Sequence, residues 1–223
     1  IDIREDSQGD LVKKCLGKGL KILWKHAVVS TSGRKKVNQV SVMKLSDNNN
    51  SVIENTITID CDLLCVSGGY TPAVHLFTQS GGKLLYNENK SYFYPGESSL
   101  EQISIGSCTG IFNLKQIIDD TYKKVNEFLK TTIKNEILVS DIKSGNFENI
   151  WLLPSNKVTG KTKSFVDFQN DSTANDIKLA LREGFKSIEH VKRYTTTGMA
   201  TDQGKIANMH ALGIISEHTK TKM

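Results

Sequence analysis

The chain has 223 residues, 38% of them hydrophobic and 24% charged, with a formal net charge of +5. These values are typical of a soluble globular protein of one or two domains. No apolar run approaches the roughly 20 residues that a membrane helix needs, so we expect no membrane association. The lysines are scattered rather than interleaved with aromatic residues, which argues against nucleic-acid binding.

The first residues, IDIREDSQGD, contain neither an initiator Met nor a signal peptide. We therefore expect a cytoplasmic protein and a sequence that is a piece of a longer one. Cys61 and Cys65 lie in a strand-like apolar run instead of a metal-binding turn, so no metal site is expected there. All four cysteines are predicted to be reduced and mostly buried. The five histidines lack ligand spacing and are expected to be structural or solvent-facing.

The first third of the chain predicts one helix followed by strands. DLVKKCLGKGLKIL indicates a short helix that stops at Gly17 or Gly19, then a strand. The runs LKILWKHAVVSTS, KVNQVSVMKL and NTITIDCDLLCVSGG predict a three-stranded antiparallel meander that continues into a buried strand, DLLCVSGG. Gly68 and Gly69 end that strand, where backbone can approach a ligand closely, with a plain tight turn as the alternative.

Two further patterns follow. KLLYNENKSYFYPG predicts a β-hairpin whose aromatic side chains pack across the strands. In QISIGSCTGIFNLKQIIDDTYKKVNEFL, a short strand, ISI, meets Gly106 and Gly110 and is followed by a long amphipathic helix. A strand, glycines and a helix in this order leave the backbone N–H groups at the start of the helix free to bind an anion. The run is not a complete G-x-G-x-x-G, however, and is weak evidence alone.

The last third becomes helical after a polar segment. STANDIKLALREGF carries a capping box, Thr173 with Asp176, and its helix is expected to end at Gly184. SIEHVKRYTT predicts a second helix with Ser187 as its cap, and a third is expected to begin near residue 201 or 202. The predicted divisions are a partial FAD/NAD(P)-binding-like domain with a meander, a linker that packs through its WLL residues, and a small helical domain: residues 1–128, 129–163 and 164–223.

Two stretches carry a family resemblance. CDLLCVSGGYTPAVHLFTQSGGKL and KSFVDFQNDSTANDIKLALREGFKSIEHVKRYTTTGMATDQGKIAN closely resemble the α subunit of heterotetrameric sarcosine oxidases, and the likeness runs through most of residues 1–217. It implies an α/β fold: the C-terminal part of a region with two dinucleotide-binding domains, as in flavoproteins and pyridine-nucleotide reductases, followed by a small helical domain. A G-x-G-x-x-G segment and a folate-binding domain are expected outside this chain.

The resemblance also implies a reaction, the oxidative demethylation of sarcosine to glycine. In that family an FAD in the β subunit oxidises the substrate, and electrons pass through an FMN at the α–β interface to oxygen, giving hydrogen peroxide. Tetrahydrofolate captures the one-carbon unit as 5,10-methylenetetrahydrofolate, and the α subunit binds an NAD that is not reduced. The implied partners are the β, γ and δ subunits. We expect this fragment alone to be inactive, with no catalytic residue of its own.

Two groups of residues are candidates for cofactor binding. The resemblance implies that part of the NAD pocket is formed by Gly106, Gly110, Ile111 and Asn113. In KRYTTTGMATDQGK, cations flank a threonine-rich stretch and would stabilise a flavin phosphate or a reduced anionic ring. A solvated face is the alternative for the cations, and helix capping is the alternative for the hydroxyls. The residues of this second group are Arg193, Thr195, Thr196 and Lys205.

The helical part also resembles small [2Fe–2S] domains related to bacterioferritin-associated ferredoxin. Those domains carry a Cys-x-Cys before the first helix and a Cys-x4-Cys in a segment of the form KRxTxxGMGPCQGxxC. The corresponding positions here are Asp167, Gln169, Asp202 and Ala207. A cluster held by thiolates cannot assemble on these side chains. We therefore expect the fold without the metal, and a loop that contacts a flavin or a partner subunit.

Two alternatives stay open from the sequence. A subunit of a related amine dehydrogenase, such as an N-methylglutamate dehydrogenase, shares the implied architecture, and its substrate site would lie in other domains. A second alternative is that the helical domain is a non-catalytic docking surface. The substrate preference of the complete complex and its flavin content separate these possibilities.

Overall fold

The computed structural model describes residues 1–7, 9–134, 137–141, 149–154 and 163–223. It contains two compact units, the first made of residues 1–5, 23–64 and 150–223, the second of residues 6–22 and 65–149. The predicted domains are each continuous in sequence, and that division stays a prediction. Part of the predicted linker, residues 135–136, 142–148 and 155–162, lies outside the described residues. None of the described helices combines the length and hydrophobicity that a membrane crossing requires.

The first unit begins with the predicted meander. Its three strands form one antiparallel sheet in the order β1-β2-β3. Their bounds are β1 His26–Ser32, β2 Gln39–Leu45 and β3 Val52–Asp60. Alternate residues on one face, among them Ala27, Leu45 and Val52, are buried in a small core. The period-two pattern of these strands therefore predicted the sheet correctly.

The predicted buried strand DLLCVSGG is wrong. β3 ends at Asp60, and beyond it Leu63 is 71% exposed and Val66 83% exposed. The run ISI likewise forms no strand, because neither run pairs with any strand in the part of the chain that the structure describes. A strand needs a neighbour for its backbone N–H and C=O groups, and periodicity alone does not supply one.

The burial of the cysteines also differs from the prediction. All four thiols are free, as predicted. The prediction that they are buried is wrong, since Cys65 is exposed and the other three are only half-buried. Cys65 stands in the run that was expected to be an interior strand, so its exposure has the same cause as that of Val66.

The second unit holds the predicted hairpin and the long helix. Its elements are α1 Asp10–Gly17, α2 His75–Gln79, β4 Leu84–Asn87, β5 Tyr92–Pro95, a 3-10 turn at Gly106–Thr109 and α3 Leu114–Leu129. Across the β4–β5 hairpin, the rings of Tyr86 and Phe93 lie 5.0 Å apart between centroids. These aromatic residues pack across the strands, as their spacing predicted.

The helical end of the chain belongs to the first unit. Its elements are β6 Phe165–Asp167, β7 Ser172–Thr173, α4 Ala174–Arg182, α5 Ile188–Thr195 and α6 Ala207–Thr219. The capping box of Thr173 and Asp176 is present at the start of α4. The apolar faces of the helices meet in a core that includes Ile177, Val191 and Ile214.

α6 begins later than its sequence predicted. Residues 201–206 form turns instead of a first helical turn, and the helix starts at Ala207. The Asp202 carboxylate accepts a hydrogen bond from the backbone N–H of Gly204 at 3.1 Å, which satisfies a local donor without a helix. Short polar side chains offer the backbone this alternative to helical bonding.

A short segment joins the two cores of the first unit. Trp151 and Leu152 pack against the helical core, whereas Ile150 and Leu153 pack against the core of the meander. The predicted packing role of the WLL residues is therefore confirmed. Gly213 of α6 lies directly against the ring of Trp151, so close that a Cβ at this position would overlap it.

Candidate functional site

The predicted site residues fall into one group in each unit. The second unit contains Gly68, Gly69, Gly106, Gly110, Ile111 and Asn113, and the first contains Arg193, Thr195, Thr196 and Lys205. In the second unit the rings of Tyr70 and Phe112 lie 5.8 Å apart between centroids. This contact brings the double glycine and the turn before α3 to the same region of the unit.

The glycine positions in the second unit differ in what surrounds them. Gly106 has a φ of +79°, and a Cβ added at Gly106 or Gly68 would meet no atom within 4 Å. Gly69 has a φ of +100°, which favours glycine for conformational reasons. Open space beside Gly68 and Gly106 leaves their backbone accessible to a ligand.

The packing around position 110 explains why the residue there is glycine. Its φ is +82°, and an added Cβ would lie 2.5 Å from the Tyr92 ring. The Tyr92 hydroxyl donates a buried hydrogen bond of 2.6 Å to the carbonyl of Gly110. The hairpin and the turn before α3 are joined at this point, a contact that sequence patterns do not reveal.

Asn113 and Ile111 complete this group. The Asn113 side chain caps α3 by accepting a hydrogen bond from the backbone N–H of Gln116 at 3.1 Å. Its amide nitrogen donates to Asp141 at 2.9 Å. Ile111 is half-buried and lines a cavity of about 740 Å³. The carboxamide of Asn113 is therefore already engaged in structure, and the open backbone at Gly106 is the more accessible feature.

We expect Gly110→Ala to destabilise the second unit more than Gly106→Ala. Both substitutions force an alanine into a left-handed conformation, which costs about 1 kcal/mol. Only alanine at position 110 also collides with the Tyr92 ring, adding about 1–3 kcal/mol of overpacking. Denaturant unfolding of the two variants measures the difference. Equal losses would contradict a packing role for Gly110.

The second group centres on Asp167, which is only 2% exposed. Its carboxylate accepts hydrogen bonds from the backbone N–H groups of Gly198 at 2.7 Å, Gln169 at 2.8 Å and Asn170 at 3.1 Å. Burial acts to raise the pKa of Asp167, but the N–H donors of Gly198, Asn170 and Gln169 together outweigh it, and the pKa lies below its ordinary value. Asp167 is thus held as an anion inside the domain.

Asp167 is one of several links between the β6–β7 hairpin and residues 195–206, which we call the Thr/Gly loop. Asn170 Nδ2 donates to the carbonyl of Thr196 at 2.9 Å, and Ser172 Oγ donates to the carbonyl of Thr195 at 2.6 Å. Thr201 Oγ1 donates to Gln169 Oε1 at 2.8 Å. The loop is therefore fastened along its length to the hairpin of its own domain.

These contacts decide whether an iron–sulfur cluster fits. Asp167 and Gln169, which stand at the first cysteine pair of the resembling domains, already bond to the Thr/Gly loop. Ala207 is 1% exposed and packs in the helical core. Within the described ranges, no three His, Cys, Asp or Glu side chains are grouped to hold a metal ion. The side chains at these positions do not fit a cluster.

The hydroxyls of the Thr/Gly loop and the two nearby cations, Arg193 in α5 and Lys205 in the loop, differ in whether they are free to bind a ligand. Thr195 Oγ1 donates to the carbonyl of Val191 at 2.8 Å, and Thr196 Oγ1 donates to the carbonyl of Thr195 at 2.6 Å. Arg193 and Lys205 are exposed and form no ion pair with any residue that the structure describes. The two cations are therefore free to bind an anionic group, whereas the hydroxyls are already hydrogen-bonded to nearby backbone carbonyls.

Sequence reasoning missed Asn208. Its carboxamide lies directly beside both Gly198 and Gly204, which have φ values of +71° and +72°. Its Oδ1 atom is buried without a hydrogen-bond partner among the described residues. Nothing in the sequence indicates that this side chain lies beside the two glycines of GMATDQG.

Sequence comparisons find similarity to sarcosine oxidases. Residues 161–223 match the family described as the sarcosine oxidase A3 domain. The chain is 29% identical over 211 residues, 91% of its length, to the sarcosine oxidase subunit alpha of Corynebacterium sp. (strain P-1). It is 36% identical over 170 residues, 73% of its length, to that of Rhizobium meliloti (strain 1021). The chain spans only 22% and 17% of these two relatives.

A solved structure supports the fold. The crystal structure of L-proline dehydrogenase from P. horikoshii matches 95% of this chain with a TM-score of 0.61, at 16% sequence identity. The match covers 43% of that protein. At this identity the likeness concerns the fold alone. It supports the expected α/β class for a chain that mixes small sheets with helices.

Proposed function

Since residues 161–223 belong to the sarcosine oxidase A3 domain family and most of the chain is related to sarcosine oxidase α subunits, we propose that it is a cofactor-supporting part of such a subunit. The relationship over 91% of the chain is the observation that carries this proposal. The proposed reaction is oxidation at the C–N bond of sarcosine with tetrahydrofolate and oxygen. Its products are glycine, 5,10-methylenetetrahydrofolate and hydrogen peroxide.

The second unit would contribute to an NAD site. The open backbone at Gly68 and Gly106 fits the close approach of a phosphate, and the start of α3 favours negative charge. Gly69, Gly110, Ile111 and Asn113 would shape the surrounding turns. Bound NAD would have a structural role without being reduced. The chain's own contribution is to bind and orient the phosphates through backbone N–H groups.

The Thr/Gly loop would lie near FMN at the interface with the β subunit. FMN would carry electrons there, between the partner's FAD and oxygen. Arg193 and Lys205 supply unpaired positive charge for a phosphate or a reduced ring. Thr195 and Thr196 would hold the loop in shape rather than donate to the phosphate, since their hydroxyls are already bonded. The γ and δ subunits and a folate domain would complete the cytoplasmic assembly.

The complete complex that contains this chain tests the proposal. We expect hydrogen peroxide to form when sarcosine is supplied, with tetrahydrofolate trapping the one-carbon unit. A preference for N-methylglutamate without peroxide would instead support the related amine dehydrogenase. A complex that contains no flavin and oxidises neither amine would support a docking module. Each outcome is read from peroxide formation, oxygen uptake and flavin absorbance.

We expect the double variant Arg193→Glu, Lys205→Glu to lower the flavin content of the complex. Losing charge-assisted contacts to a phosphate should weaken FMN binding by about tenfold or more. FMN released by denaturation and measured by fluorescence gives the stoichiometry. Lys186→Glu, an exposed charge reversal in the same domain, is the matched control. Unchanged FMN content in the double variant would contradict the cofactor role of the two cations.

A further inference from the structure

Tyr70 in the second unit is the most exposed aromatic residue among those that the structure describes, at 81%. Single exposed apolar residues are common on protein surfaces and need no function. The Tyr70 ring, however, lies 5.8 Å from the Phe112 ring between centroids, at an interplanar angle of 37°. Phe112 is itself 43% exposed. The two rings form one open aromatic surface, which we call the Tyr70 platform.

Buried residues on both sides hold the Tyr70 platform in place. Tyr92, only 5% exposed, contacts the Phe112 ring in a T-shaped arrangement, with centroids 5.9 Å apart and an interplanar angle of 89°. The Tyr92 hydroxyl in turn donates to the carbonyl of Gly110 at 2.6 Å. Two residues after Tyr70, the buried Pro72 restricts the backbone. A ring that is already positioned in this way loses little conformational entropy when it binds a ligand.

Backbone donors without protein partners adjoin the Tyr70 platform. The N–H groups of Gly68, Gly69 and Tyr70 donate to no residue that the structure describes. Both glycines are exposed, and a Cβ at Gly68 would meet no atom within 4 Å. Successive backbone N–H groups in an open loop are suited to phosphate oxygens. Because Gly68 and Tyr70 are two residues apart, at most about 7 Å between Cα atoms, one ligand can contact both the donors and the ring.

We propose that the Tyr70 platform stacks against the planar ring at one end of a nicotinamide dinucleotide, while the N–H groups of residues 68–70 donate to the adjoining phosphate. In a dinucleotide a single ribose joins each flat heteroaromatic ring to the pyrophosphate, which matches a ring beside backbone donors. The inference rests on the proposed NAD site and adds the residue that recognises the ring of the ligand. Neither Tyr70 nor Phe112 was predicted as a site residue from the sequence.

Stacking and ordinary apolar packing predict different effects of substitutions at Tyr70. Leucine keeps an apolar side chain of similar reach but has no π-face, whereas phenylalanine keeps the ring and loses only the hydroxyl. We therefore expect Tyr70→Leu to weaken NAD binding by about tenfold, the usual scale for removing an aromatic ring from a stacked base. Tyr70→Phe should bind NAD within about twofold of the wild type, because the stacking surface is retained.

Calorimetric titration of the complete complex, stripped of bound nucleotide, measures these dissociation constants. NAD is compared with ADP-ribose, which lacks the nicotinamide ring. A loss in Tyr70→Leu for NAD alone assigns the stacked ring to nicotinamide, and equal losses for both ligands assign it to adenine. Phe128→Leu is the matched control: it removes a 66% exposed ring near the other end of α3, about 20 Å along the helix from Phe112.

The outcomes separate this inference from the proposed function. If Tyr70→Leu binds NAD as tightly as the wild type, or if Tyr70→Phe loses as much affinity as Tyr70→Leu, stacking on Tyr70 is wrong while the proposed NAD site stands. An equal loss in Phe128→Leu would also overturn stacking at this position. A wild-type complex that binds neither nucleotide would refute the NAD site and the inference together. None of these measurements requires turnover or flavin reduction.

Discussion

Asp167→Asn is expected to destabilise the helical end of the chain by about 3 kcal/mol, because hydrogen bonds to a charged group contribute about 1.5–3 kcal/mol each and an unsatisfied donor costs a similar amount. The buried carboxylate accepts three backbone N–H groups, including that of Gly198 on the Thr/Gly loop. An amide keeps one acceptor oxygen but turns an NH₂ group toward those donors. Denaturant unfolding followed by circular dichroism measures the loss.

The same variant should change how stability depends on pH. The folded state lowers the pKa of Asp167, so its contribution is present above the ordinary carboxyl pKa of about 4 and disappears as the pH falls through the lower folded value. The free energy of unfolding of the wild type should therefore decline more steeply in acid than that of Asp167→Asn. The difference between the two proteins should shrink toward low pH.

Asp171→Asn is the matched control for both measurements. Asp171 is exposed in the same hairpin turn and has a φ of +53°, a conformation that asparagine tolerates well. We expect its unfolding free energy to stay within about 0.5 kcal/mol of the wild type, as is usual for surface substitutions. An Asp167→Asn protein as stable as this control, with the same acid dependence, would refute the anchoring role of the carboxylate.

Gly213→Val is expected to cost about 3 kcal/mol, at the upper end of what overpacking a well-filled core costs. Gly213 is buried in α6, and any Cβ there overlaps the ring of Trp151. The ring has to move away, which also loosens Leu152 from the helical core. Because the same short segment packs on the meander through Leu153, the loss should reach both cores of the first unit.

Tryptophan fluorescence reports this displacement directly. In a Trp24→Phe background, Gly213→Val should shift the emission of Trp151 to longer wavelength as the ring becomes wetter. Gly17→Val is the matched control, since a Cβ at Gly17 meets no atom within 4 Å and that residue also lies in a helix. An unshifted spectrum together with wild-type stability would show that the Gly213–Trp151 contact does not constrain the unit.

The sequence by itself determined the elements whose signals are local. Period-two alternation predicted the meander and the β4–β5 hairpin, and helical spacing predicted α3 and α4. Caps were visible for the same reason, because a capping residue and its donor are three positions apart, as with Thr173 and Asp176. Arg193 and Lys205 were predicted from the sequence as cofactor-binding cations; the structure shows both exposed, and their role stays a prediction.

Only the tertiary structure decided what depends on partners far along the chain. Asp167 bonds to Gly198, 31 residues away, which turns a position resembling a lost metal ligand into an internal anchor. Gly110 needs to be glycine because Tyr92 of the hairpin lies against it. The run ISI was predicted as a strand but pairs with none of the strands that the structure describes, because apolar alternation is a property of one segment and a strand also needs a neighbour that the fold must supply.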